Sequence, residues 1–185
     1  MALSAEQRER YWQDGCLLIP GLFPRATLQR HETRFLELVT GRIPRPESMV
    51  VMRDIAFVKG TQQAESPVHE VNKILGFEDD EVLYSHSLYP ALLSAVRDLL
   101  GAELMTLTTN VFNKPPGIDG RHPLHQDLRY FTLRPEDGIV ATWTAIDQSD
   151  SLRPAIVIEP AASIGTNTRR SYQRSRSKQM MNVNR

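Results

Sequence analysis

A chain of 185 residues can bury the core of one domain and falls short of what two usually need. Its formal net charge is zero, yet residues 1–150 carry 15 Lys/Arg against 21 Asp/Glu, and residues 151–185 carry seven basic residues against the single acid Glu159. The one cysteine, Cys16, excludes an internal disulfide, and no apolar run approaches the roughly 18 residues of a membrane span.

Ser4 followed three residues later by Gln7 reads as a capping box, opening a helix that runs to Asp14 and stops at Gly15. "CLLIP" follows as a short strand. In "RATLQRHETRFLELVTG", Leu28, Phe35, Leu36 and Val39 fall on one helical face, with Gly41 as the stop. "RIPRP" is a loop, because two prolines do not fit inside one regular element. "MVVMRDIAFV" reads as strand, and residues 68–87 as one or two short helices with an acidic break at "EDDE". "PALLSAVRDLLG" carries the clearest helical pattern: Pro90 in the first turn, an apolar stripe of Leu92, Leu93, Val96, Leu99 and Leu100, and Gly101 at the end.

After Gly101 the apolar period changes from helical to two. "ELMTLTTNVFNK", "LHQDLRYFTL" and "IVATWTAI" read as strands, separated by "PPGIDG" and "RPEDG". Helices first and strands in succession afterwards point to an α+β or jelly-roll-like domain.

The chemistry concentrates in "RHPLHQDLRYF", residues Arg121 to Phe131. On a strand, His125 and Asp127 share a face and His122 points away. An imidazole beside a carboxylate supplies two ligands of the 2-His-1-carboxylate triad that holds non-haem Fe(II), and a third histidine must come from elsewhere. The plainer alternative for a lone His-x-Asp is a hydrogen-bonded pair on an exposed strand face.

The segments "VMRDI", "NKPP", "RHPLHQDLRYF", "RPEDGIV" and "WTA", in this order and spacing, resemble the phytanoyl-CoA dioxygenase family from about Thr40 to Ile146, with a weaker echo in "YWQDGCLLIPGLF". The resemblance implies a double-stranded β-helix of the jelly-roll or cupin type with N-terminal helices. It implies Fe(II) and 2-oxoglutarate as cofactors, ascorbate as reductant, and 2-hydroxylation of a branched-chain fatty acyl-CoA in peroxisomal α-oxidation. His125 and Asp127 match the family's first two iron ligands, and Gln126 lies between them in the stretch lining the 2-oxoglutarate site. Lys73, in "HEVNKILGF", matches a lysine that contacts 2-oxoglutarate. Trp143 matches a tryptophan of the same pocket, with plain core as its alternative, because Ile139, Ala141 and Ala145 share its strand face. Asn110 stands where the family has a methionine, which makes that contact polar.

After Ile146 the resemblance stops, and all five histidines lie at or before position 125. The family's distal iron-binding histidine and its 2-oxoglutarate-gripping arginine find no match. Residues 1–147 are therefore expected to form the N-terminal part of such a domain, its barrel incomplete in this chain. Residues 148–185 are expected to be a divergent, largely disordered basic tail. A catalytically silent truncated product, or a binding-only protein that at most weakly binds metal or a partner protein, is the second reading; a partner chain completing the barrel would rescue activity. The third is nucleic-acid binding through "RRSYQRSRSK"; an unspecific basic tail is favoured over it. The polar start "MALSAEQRERYWQDG" does not read as a secretory signal, nor "NVNR" as a Ser-Lys-Leu-type address. The expected location is peroxisomal by resemblance, with the cytoplasm as the alternative.

Overall fold

The computed structural model of the chain describes residues 2–61, 63–114, 127, 131–146 and 155–160, the last six by their backbone alone. In chain order the elements are α1 (Ala5–Asp14), β1 (Leu17–Pro20), α2 (Arg25–Val39), β2 (Val50–Arg53), α3 (Ile55–Val58), α4 (Pro67–Glu70), β3 (Val71–Leu75), α5 (Glu81–Tyr84), α6 (Pro90–Leu100), β4 (Asn110–Phe112), β5 (Val140–Thr144) and β6 (Ala155–Pro160). Helices and antiparallel strands are mixed, and the strands form two open three-stranded sheets, β1-β6-β5 and β2-β3-β4. The chain divides into two units. One comprises Met1–Leu22, Ala91–Leu104 and Pro123–Arg185; the other comprises Phe23–Pro90 and Met105–His122. No helix among the described residues is long and apolar enough to cross a membrane.

In the first unit, α1 begins as its sequence dictates. The Ser4 hydroxyl accepts from the Gln7 amide at 3.1 Å, the Gln7 side chain accepts from the Ser4 amide at 2.9 Å, and Gly15 closes the helix at φ +70°. The Leu3 amide, just ahead of the cap, donates to the Asp98 carboxylate on α6. β6 lies between β1 and β5, with Leu17 opposite Ile158 and Trp143 opposite Val157. A strand thus sits inside the segment read from sequence as tail, whereas residues 161–185 fall outside the described residues. On α6, Leu92 and Ala95 are buried; Leu93, Val96, Leu99 and Leu100 are half-buried.

In the second unit, Phe35 and Leu38 of α2 pack with Met49, Val71, Ile74, Phe77 and Leu83. The buried stripe of α2 is Leu28, His31, Phe35 and Leu38, and Leu36, expected to be inside, is exposed. Spacings of three and four residues place His31 on the apolar face, where residue type alone argues against it. Asp80 caps α5 by accepting from the Leu83 amide at 2.9 Å, and it also accepts from Arg34 Nε at 2.8 Å, with its side chain 1% exposed.

Three sequence expectations are corrected here. The strand read over 49–58 ends at Arg53, because the Asp54 carboxylate accepts from the Ala56 amide at 2.9 Å and starts the single turn of α3. The helices read over 68–87 are interrupted by β3. The strand read over 103–114 pairs only at Asn110–Phe112; before it, Thr109 spends its bonds on the turn after β3. Its hydroxyl accepts from the Phe77 amide at 2.9 Å and its carbonyl from the Gly76 amide at 3.0 Å. Gly76 sits at φ +68°, and a Cβ there would approach the Ser48 carbonyl to 3.3 Å.

Candidate metal and cofactor site

β3 buries Val71 and Ile74, three residues apart, which simple alternation forbids. A bulge explains it. Met52 stands opposite Lys73 and Arg53 opposite Val71, so Asn72 is an extra residue on β3, and alternation restarts on either side of it. The irregularity is what disguises β3 as helix in the sequence. In consequence, with Ile74 and its partner Val111 turned to the core, Lys73 and Leu75 face the other way.

The register then decides what accompanies Lys73. Leu75 pairs with Asn110 and Lys73 with Phe112, so Lys73 and Asn110 share the open face of the sheet. The structure brings together these two residues, both expected from the sequence at the cofactor site. Val50, Met52 and Phe112 are exposed on the same face, and the Lys73 Nζ lies 5.6 Å from the centre of the Phe112 ring. Among the described residues no carboxylate forms an ion pair with Lys73. Asn113 fixes the end of β4, its amide donating to the carbonyls of Val68 at 2.8 Å and Val71 at 3.0 Å. Its own amide nitrogen donates to the Asn72 carbonyl at 2.8 Å. Sequence reasoning missed Phe112 and Asn113 as companions of Lys73, since their roles depend on a pairing partner that was read as helix.

The remaining candidates belong to the other unit. Trp143, on β5, is 44% exposed, which overturns the plain-core alternative. Asp127 is half-buried and has 3-10 rather than the expected strand conformation. His125 and Gln126 lie outside the described residues. Among the described residues no three His, Cys, Asp or Glu side chains converge on a common point.

Two histidines unused by the sequence reading form a second cluster, in the unit of Lys73. His86 stacks on Phe23 at 4.9 Å between ring centres, and His31 meets His86 edge-on at 5.9 Å. The His31 Nε2 lies 3.1 Å from the Ser85 hydroxyl. Burial, with His31 as the second cause, pushes His86 down to about 4. Burial also lowers His31, aided by the Arg30 charge and opposed by the Val82 backbone. Both rings are held neutral, as packing groups rather than proton carriers.

The family model described as phytanoyl-CoA dioxygenase (PhyH) matches residues 11–156. A Caenorhabditis elegans protein named "Probable phytanoyl-CoA dioxygenase" is 37% identical over 169 residues, covering 88% of this chain and 54% of the relative. The mouse and human proteins named "Phytanoyl-CoA dioxygenase, peroxisomal" are 35% and 34% identical over 167 residues, each covering 89% of this chain and 48% of the relative. The chain thus spans about half the length of the curated relatives it matches. The matched residues contain Lys73, Asn110, the His125–Asp127 pair and Trp143, and the chain belongs to the phytanoyl-CoA dioxygenase family.

Proposed function

We propose that the chain carries machinery of an Fe(II)/2-oxoglutarate-dependent dioxygenase, on double-stranded β-helix architecture, that 2-hydroxylates a branched-chain fatty acyl-CoA in fatty acid α-oxidation. The observation that carries this reading is Lys73. It is a cation without a carboxylate partner among the described residues, beside Asn110 on an open sheet face, within the span matched to the family. That arrangement fits a dicarboxylate: the ammonium takes one carboxylate of 2-oxoglutarate and the Asn110 amide can donate beside it. His125 and Asp127 hold the metal, Gln126 lies between these ligands, and Trp143 offers an exposed aromatic surface. Fe(II), when bound, couples decarboxylation of 2-oxoglutarate by oxygen to hydroxylation, yielding succinate, CO2 and the 2-hydroxyacyl-CoA. Ascorbate keeps the metal reduced. The names of the mammalian relatives support a peroxisomal location.

A second reading rests on the histidines, all five of which lie at or before position 125. A triad closed by a later histidine draws on residues beyond these 185, whether in the same polypeptide or from a partner chain. These residues alone then hold iron loosely and turn over far more slowly than a full-length relative. The test is succinate release from 2-oxoglutarate with phytanoyl-CoA, Fe(II) and ascorbate, comparing the chain with its His125→Ala variant. Turnover that disappears in the variant establishes the dioxygenase reading for this chain; equal background in both establishes the silent one.

A further inference from the structure

We propose that Phe112 is a positioning residue for 2-oxoglutarate, holding the Lys73 ammonium on the open face of β2-β3-β4 in a form that still takes a carboxylate. The inference rests on the reading of Lys73 as a 2-oxoglutarate contact and adds a residue to it.

A lysine side chain has four rotatable bonds and loses considerable entropy when it must hold one position. Sites commonly restrain such a cation with a carboxylate, but that partner would compete with the incoming dicarboxylate. The structure shows a different restraint. Lys73 and Phe112 are direct cross-strand partners, and the Nζ lies 5.6 Å from the ring centre, within the range of a cation–π contact. A ring attracts the ammonium through its quadrupole without neutralising it, so the N–H donors directed away from the ring stay available. The strand that carries Phe112 is itself fixed from behind. Val111 packs on Ile74, which is fully buried, and the Asn113 amide clamps the strand end to the Val68 and Val71 carbonyls. Asn110 reaches the same face two residues before Phe112. One short strand thus carries a neutral donor and the ring that aims the charged one.

The test is a double-mutant cycle on 2-oxoglutarate affinity, measured by calorimetry on the full chain with Mn(II) in place of Fe(II), with no turnover required. Lys73→Met is expected to weaken binding about tenfold or more, as loss of a charge-assisted contact implies. Phe112→Leu is expected to weaken it about two- to fivefold, the scale of a half-exposed cation–π contact, and Phe112→Tyr to keep it within about twofold. In the Lys73→Met background, Phe112→Leu should add nothing. If Phe112→Leu has no effect, or the same effect with and without Lys73, the ring is only structural and the proposal is overturned. If Lys73→Met leaves affinity unchanged, or the unsubstituted chain does not bind 2-oxoglutarate, the reading of Lys73 fails first and the inference falls with it.

Discussion

In the unit that carries Lys73, the sheet follows the chain, β2 to β3 to β4, and its turns are stapled by neighbours: Thr109 on Gly76 and Phe77, Asn113 on Asn72. In the unit that carries Asp127 and Trp143, β1 from the start of the chain pairs with β6 from its far end, and β5 adds to β6. The first sheet needs only modest loop closures; the second must bring together strands separated by most of the sequence before either gains a partner. Lys73 therefore sits on the sheet that local information can build, and the exposed Trp143 on the one that depends on distant pairing. Both tryptophans, Trp12 and Trp143, lie in the second of these units, so indole fluorescence follows it while circular dichroism follows both.

That contrast can be broken at Asp80. Its carboxylate, 1% exposed, caps α5 and takes the Arg34 guanidinium, which is itself partly exposed. Asp80→Ala removes both bonds and leaves the Arg34 guanidinium only its 3.7 Å contact with Glu37, with an expected loss of about 3 kcal/mol in urea unfolding. Dichroism and indole fluorescence should then separate, the dichroism moving first. Coincident, equally shifted transitions would mean that the two units unfold as one and that the contrast has no energetic content.

Part of this was legible in the sequence, and the part that was not has a common cause. α1, β1, α6 and β5 are announced by signals inside themselves: the Ser4–Gln7 box, Pro90, Gly101, and a Thr/Val/Trp run. β3 is hidden because its bulge spaces Val71 and Ile74 like a helix, and the face of α2 is misjudged because a buried histidine occupies an apolar position. Strand read over 103–109 was set by composition, but Thr109 turns its bonds to a neighbouring turn. For the site, Lys73 and Asn110 come from resemblance, and only the register shows that they share a face with Phe112. Residue types are visible locally; which strand stands opposite is not.

Acid should destabilise one unit before the other, since both histidines that the fold keeps neutral lie in the Lys73 unit. His86 titrates at about 4 when folded and near 6.5 when unfolded. Below pH 6.5 the unfolded chain takes up a proton that the folded one refuses. Stability is therefore full above about 6.5, falls as the pH drops, and stops falling through this group below about 4. His31, lowered as well, acts in the same direction. Around the pair, Arg30 disfavours the protonated form of His31, Ser85 meets the His31 Nε2, and Phe23, itself stacked on Tyr89, covers the His86 ring. The expected loss is about 2 kcal/mol between pH 7 and pH 4.5, and His86→Phe, which keeps the stack on Phe23, should flatten much of it. A wild-type profile flat over that range would exclude a neutral buried pair.

The smallest effect belongs to the other unit, at Ser4. α1 is a ten-residue helix that buries only Tyr11 among its own residues, and a helix of that length is marginal in water without outside help. Its help comes at the first turn. The reciprocal Ser4–Gln7 bonds satisfy two backbone donors, and the Leu3 amide is taken up by Asp98. Ser4→Ala removes the hydroxyl acceptor while leaving Leu3 and Asp98 in place, so about 1 kcal/mol is expected. Ser4→Asp should recover most of it, because a carboxylate accepts the same amide and favours the positive end of the helix. Trp12 lies on α1, so the loss should register in indole fluorescence at least as strongly as in dichroism. An alanine variant as stable as the parent would show that the cap does not hold α1 and that Tyr11 and the Leu3–Asp98 bond suffice. A fluorescence transition that lags dichroism would show that this unit does not unfold from its N-terminal helix.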